Sequence, residues 1–132
     1  MRHFIAYHNA ERMGRPLHEG DPLRLLTSKS VDRLVGDIVW FITGEGLGRR
    51  RYALGSVFRV EDVSDAAEEG FKHSASGPGH VFRPPVPLND EEWFPEFLRS
   101  MGNFGFGLQE VKDERVIEAL KRLASAAGAA NV

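Results

Sequence analysis

Apolar positions along the chain fall into short runs separated by turn-forming residues. The first run, His3-Phe4-Ile5-Ala6-Tyr7, stops at the polar pair His8-Asn9 and predicts a strand. Asn9 is placed to cap a helical turn through Ala10–Met13, closed by Gly14. From Arg15 to Ser30 the pattern is broken by Pro16, Gly20 and Pro22, which predicts loop with one helical turn around Leu23–Leu26. Ile38-Val39-Trp40-Phe41-Ile42-Thr43 is apolar nearly throughout, as in a strand covered on both faces. A glycine-rich turn, Gly44–Gly48, leads through Arg49-Arg50-Arg51 into a second strand, Tyr52–Val60, so the two make a hairpin. Gly55, inside that strand, marks a bulge or sharp bend.

The second half is less regular. Ser64–Gly70 is polar and acidic, and His73–His80 reads as a mobile loop. Val81-Phe82-Arg83 predicts a short strand stopped by Pro84-Pro85. Asp90-Glu91-Glu92 leads into a short helix from Trp93 to Leu98. Phe104-Gly105-Phe106-Gly107-Leu108 suggests a strand end approached closely by another backbone or a ligand. The last helix has the strongest signal: Asp113 caps it, and Val116, Ile117, Leu120, Leu123, Ala124 and Ala127 form one apolar stripe ended by Gly128. Residues 1–128 therefore make one domain, with 129–132 as a tail or the start of a linker. Hairpins dominate and no repeat is present, which favours an α+β mixed barrel plugged by a helix over a parallel α/β fold.

With 132 residues, 42% of them hydrophobic, the chain can enclose one core. Its 17 Lys and Arg against 19 Asp and Glu give a net charge of −2, so any nucleic-acid binding must rest on a local patch. No apolar run is long enough to cross a bilayer, and the N-terminal run is too short and interrupted for a signal peptide. The absence of Cys removes disulfides, thiolate metal sites and a cysteine nucleophile, and fits the cytoplasm. The five histidines show no metal-ligand spacing, and no acid–base or nucleophilic pair has diagnostic spacing, so no metal, cofactor or catalytic residue is expected. Gly44, Gly46 and Gly48 follow a strand, but no helix or Gly-Lys-Ser/Thr follows them, which discounts a phosphate loop. Arg49, Arg50 and Arg51 at the hairpin tip read equally as phosphate contacts or as a solvated turn, and Arg24, Lys29 and Arg33 can extend the patch.

Three stretches together resemble one known pattern. A first strand ends in the polar triplet Tyr7-His8-Asn9; a polar segment, Thr27-Ser28-Lys29-Ser30, leads into Val35-Gly36-Asp37-Ile38-Val39-Trp40-Phe41; and Phe106-Gly107-Leu108-Gln109 leads into a capped helix. In this order they resemble the EVE domain, a member of the PUA-like superfamily alongside ASCH and YTH domains. The resemblance implies a PUA-like curved mixed β-barrel with helices at its ends and a pocket for a single, often modified, nucleobase turned out of its strand. Relatives occur fused to nucleases that cut modified DNA, and others read methylated RNA. Carried onto this chain, the pocket would be walled by Tyr7, His8 and Asn9, with Thr27, Ser28 and Lys29 opposite and Thr43 at the end of the Trp40 strand.

A flipped base needs a stacking surface and hydrogen bonds to its edge. Tyr7 can stack, and Asn9 can both donate and accept; equally, Tyr7 can be a core residue and Asn9 a plain helix cap. Trp40 touches ligand only if it faces the barrel mouth, and core packing is the alternative. The expected function is a binding module for a modified base in double-stranded DNA, the targeting part of a modification-dependent endonuclease. An RNA-binding module and a small enzyme acting on a nucleotide-like ligand are the alternatives, and no membrane partner is expected.

Overall fold

A computed structural model describes residues 1–46, 48–68 and 70–129, apart from the Glu11 side chain. Its strands are β1 (His3–Asn9), β2 (Arg24–Thr27), β3 (Ile38–Glu45), β4 (Arg51–Arg59), β5 (Asp62–Glu68), β6 (Phe71–Ser76), β7 (Gly79–Pro87) and β8 (Gln109–Val111). The helices are α1 (Ala10–Met13), α2 (Phe94–Ser100) and α3 (Glu114–Ala126), and single 3₁₀ turns occupy Leu17–Glu19 and Gly102–Phe104.

The strands pair into a five-stranded sheet, β7-β4-β3-β1-β8, and a three-stranded sheet, β2-β6-β5. Among the described strands only β1 and β3 pair in parallel. A strand at the centre of a covered sheet has no solvent face, which is why both read as nearly continuous apolar runs. Ile5, Ile38, Trp40 and Ile42 point into one core, closed by α2 and α3. Phe4, Ala6, Val39 and Phe41 point into a second, shared with Leu25 of β2 and Ala75 of β6. The expectation that the Trp40 strand is covered on both faces holds. So does the bulge: Phe41 pairs with Ser56 and Ile42 with Leu54, leaving Gly55 unpaired on that side, and the β4–β7 register shifts at the same place. A Cβ on Gly55 would lie 2.6 Å from Leu17 Cδ2, so the bulge also seats the turn that carries Leu17.

The two sheets join at a corner. β4 passes into β5 and β6 into β7, with Arg59 N–H donating to Pro78 O and Glu61 N–H to Ser76 O. Elsewhere the described strands do not close, so the architecture is α+β with two sheets and not the closed barrel expected from sequence. The reason lies in the edges. β8 has only three residues, and β5 is largely exposed and acidic, with no apolar row to bury against another strand.

Several local expectations are corrected by pairing partners that lie far away in sequence. Leu23–Leu26 does not form a helical turn; Arg24–Thr27 is β2, alternating half-buried and buried residues against β6. The acidic stretch is β5, and most of the expected 73–80 loop is β6 and the start of β7. Pro84-Pro85 does not end β7. An edge strand tolerates proline, and the prolines sit between the paired residues Val81 and Val86, where the register is broken. Phe104–Leu108 is a turn and loop leading into β8. α3 matches its expected stripe, with Val116, Ile117, Leu120 and Ala124 buried, Leu123 half-buried, Ala127 exposed, and Asp113 Oδ1 accepting from Arg115 N–H at 2.9 Å. Of the expected 129–132 tail, Ala129 is buried against the core and 130–132 lie outside the described residues.

Trp40 is 0% exposed, and its indole N–H donates to His3 Nδ1 at 2.9 Å. Burial of an indole N–H without a partner would be costly, so His3 must stay neutral with its own proton on Nε2. Burial and then the nearby Lys121 charge hold the His3 pKa below 6.5, partly opposed by Glu114 and Asp37. A depressed histidine pKa means the folded state binds fewer protons than the unfolded one as pH falls. The contribution of His3 is thus complete above pH 6.5 and is lost as pH drops through its lowered folded pKa. Urea denaturation of wild type should show this loss, while His3→Asn, whose carbonyl can accept the same bond without titrating, should flatten that part of the profile. Glu68, held low by Arg24, and Asp113, held low by the Arg115 N–H, act only at more acidic pH.

Candidate functional site

At the C-terminal end of β1 the two cores part around an open cleft of about 1310 Å³. Its walls come from the end of β1 with the crossover that follows, the β3–β4 turn and the Asn103–Leu108 loop, with Glu68, Gly70 and Phe71 at the β5–β6 junction, Asn89 and Leu98 completing the lining. Typical small-molecule pockets enclose roughly 300–1,000 Å³. This one is larger, and it is open.

Most of the residues expected at a site come together here. Tyr7, His8, Asn9, Thr27, Ser28 and Lys29 all line the cleft, as do Arg49 and Arg50. Their local bonds define what each can still do. The ring of Tyr7 packs at 5.4 Å from Phe104 and 6.0 Å from Tyr52, and its hydroxyl accepts from Arg50 Nε at 3.2 Å. It is therefore a fixed wall. His8 is buried, and its Nε2 lies 2.8 Å from Arg15 O, pinning the chain after α1. Asn9 Oδ1 accepts from Arg12 N–H at 3.1 Å, so Asn9 is the cap of α1. The amide N–H groups of Asn9 are what it can offer a ligand in the cleft. Thr27 is buried, with Oγ1 accepting from Lys29 N–H at 3.1 Å, while Ser28 is exposed. Lys29 Nζ donates to Leu108 O at 2.7 Å and ties the crossover to the 103–108 loop.

Four expected residues lie elsewhere. Trp40 is sealed in the core by its bond to His3 and cannot reach a ligand. Thr43 is half-buried and is not part of the cleft wall. Arg51, on the strand after the turn, points past the cleft and lies 3.8 Å from Glu45. Arg33 is exposed outside the cleft, its carbonyl accepting from Arg2 Nη2 at 2.6 Å. In each case strand alternation or a loop that turns away sends the side chain to a different face, which proximity in sequence does not reveal.

The described lining of the cleft differs in charge from the chain as a whole. Among the described residues its lining holds six cations, Arg12, Arg15, Arg24, Lys29, Arg49 and Arg50, and two carboxylates, Asp21 and Glu68. The whole chain is net −2. Glu68 is engaged by Arg24 through two bonds of 2.9 and 3.1 Å. Arg50 is also structural, since Nη1 donates to Gly46 O at 2.9 Å while Nε holds Tyr7. Arg49 is exposed at the turn.

Sequence reasoning did not single out Arg12, Arg15 or Asn89, and named Phe106 only within the Phe104–Leu108 stretch. The two arginines read as ordinary polar residues of a helical turn and loop, and only the path of the crossover brings them to the cleft. Asn89 accepts from Tyr52 N–H at 2.6 Å and donates to Arg50 O at 2.9 Å, fixing the backbone from Arg50 into β4. Among the described residues no group of three His, Cys, Asp or Glu side chains could hold a metal ion, and no helix is long and apolar enough to cross a membrane. His73 lies 3.2 Å from Asp65, and His80 packs on Phe82. Comparison with protein-family models, curated proteins and solved structures gave no match.

Because Asn9 is both a cap and a cleft residue, one substitution confounds two roles. Asn9→Ala should cost about 1 kcal/mol of stability through the lost cap. Asn9→Asp keeps the cap acceptor and should melt close to wild type, while removing the amide donor from the cleft. Thermal denaturation of the two variants checks this: equal losses in both would show that Asn9 Oδ1 does not cap α1.

Proposed function

We propose that this chain is an EVE-like, PUA-like nucleic-acid-binding module that reads a modified base turned out of double-stranded DNA. In that role it targets a modification-dependent endonuclease in the cytoplasm and itself catalyses no reaction. The observation that carries this reading is the cationic cleft on an acidic chain. Among the described lining residues six cations stand with two carboxylates, a set that suits a polyanion, and the volume of the cleft favours a polymer over a free nucleotide.

The division of labour follows from the bonds. Arg49 and Arg12, both exposed at the cleft, meet phosphates and set position without reading sequence. The extruded base enters beside Tyr7, whose ring is already held by Tyr52 and Phe104 and so loses little freedom on binding. The Asn9 amide donates to an acceptor on the base edge, and the exposed Ser28 hydroxyl supplies a second polar group.

Fluorescence anisotropy with duplexes of one sequence, plain or carrying cytosine or adenine modifications, tests the reading. Affinity should fall with salt, at a log–log slope of about −0.9 per phosphate neutralised. Arg49→Ala should weaken plain and modified duplexes alike and make that slope shallower by about one. Arg49 is the better probe because replacing Arg50 would also release Tyr7. Equal affinity for every modified and plain duplex would remove base reading. Preference for single-stranded RNA in direct competition would move the module to RNA.

A further inference from the structure

Among the described residues three large hydrophobic side chains stand exposed: Met1 at the terminus, Val35 in a loop outside the cleft, and Phe106, 68% exposed, in the cleft wall. An exposed phenylalanine gains nothing for the fold, so its mounting is informative. Gly102, Asn103 and Phe104 all have positive φ, a conformation that costs a bulky residue such as Phe104 on the order of 1–2 kcal/mol. Burial of the Phe104 ring among Tyr7, Tyr52, Phe94 and Phe97 offsets that cost. The turn therefore has a fixed course. The Phe106 ring lies across Gly102, in space that any Cβ there would fill, and the far end of the loop is tied by Lys29 to Leu108 O at 2.7 Å. The ring is thus held in place from behind and open in front, beside the cations of the cleft.

Taking the nucleic-acid reading as its basis, we infer that Phe106 is a wedge that enters the base stack where the target base has left it. A base-receiving surface would sit deep in the cleft, as Tyr7 does; Phe106 instead stands out where the remaining stack would pass. Turning out a base leaves an apolar gap between its neighbours, and insertion of an apolar side chain recovers part of the lost stacking.

The test compares wild type with Phe106→Ala, Phe106→Leu and Phe106→Trp on two modified duplexes. One is normally paired; in the other a pyrene nucleotide opposite the modified base fills the stack and forces that base out. On the paired duplex Phe106→Ala should bind about 5- to 150-fold more weakly, the range expected for one lost base–aromatic stack. Phe106→Trp should keep affinity and Phe106→Leu should fall between. On the pyrene duplex the loss should largely disappear, and the salt slope should match wild type on both. Unchanged affinity for Phe106→Ala, or the same loss on both duplexes, would overturn the wedge while leaving base reading in place. A wild-type protein that binds neither duplex would remove the nucleic-acid reading itself.

Discussion

The parallel pairing of β1 with β3, in the middle of a sheet buried on both faces, is the constraint from which the rest follows. Parallel neighbours cannot be joined by a tight turn, so the chain must travel back along the sheet before β3 can begin. That return path, from Ala10 to Asp37, carries α1, the Leu17 turn and β2. It also carries Arg12, Arg15, Arg24 and Lys29, four of the six cations that line the cleft. The apolar demand of two central strands thus places a basic wall beside the end of β1, although neither strand is basic.

The cleft is built from residues that are mostly bonded to one another. Arg50 holds Tyr7, Asn89 holds the backbone on either side of Arg51, His8 holds Arg15, and Lys29 holds Leu108. All but the His8–Arg15 bond join segments from distant parts of the chain. They fix the walls before any ligand arrives, which lowers the ordering cost of binding. They also divide the cations by role. Arg24, Arg50 and Lys29 brace the walls, while Arg12 and Arg49 stand exposed. A count of basic residues in the sequence cannot separate these two groups.

Much of the fold was legible in the sequence. The Ile38–Thr43 strand, the hairpin with its Gly55 bulge, the Asn9 and Asp113 caps and the α3 stripe were all readable, because each depends on neighbours within a few residues or on one buried face. Of the residues expected to meet, Tyr7, His8, Asn9, Thr27, Ser28 and Lys29 line one cleft, without Trp40 and Thr43, which were expected beside them. Misreadings fell where partners were distant. β2, β5 and β6 are short, polar or acidic, and are strands only because they pair with one another. Trp40 looked like a possible ligand contact because sequence does not show which face holds His3.

What the sequence determined by itself was local: the strongly apolar strands, the capped and striped last helix, and that no cysteine chemistry is present. Tertiary structure decided what needs long-range geometry. It decided that the sheets stay open, because their edges are short or charged; that Arg33, Thr43 and Arg51 face away; and that Arg12, Arg15 and Phe106 face in. The physical reason is that backbone propensity and capping act over a turn or two, whereas a cleft is a meeting of segments whose order in space is set by burying both faces of β1 and β3.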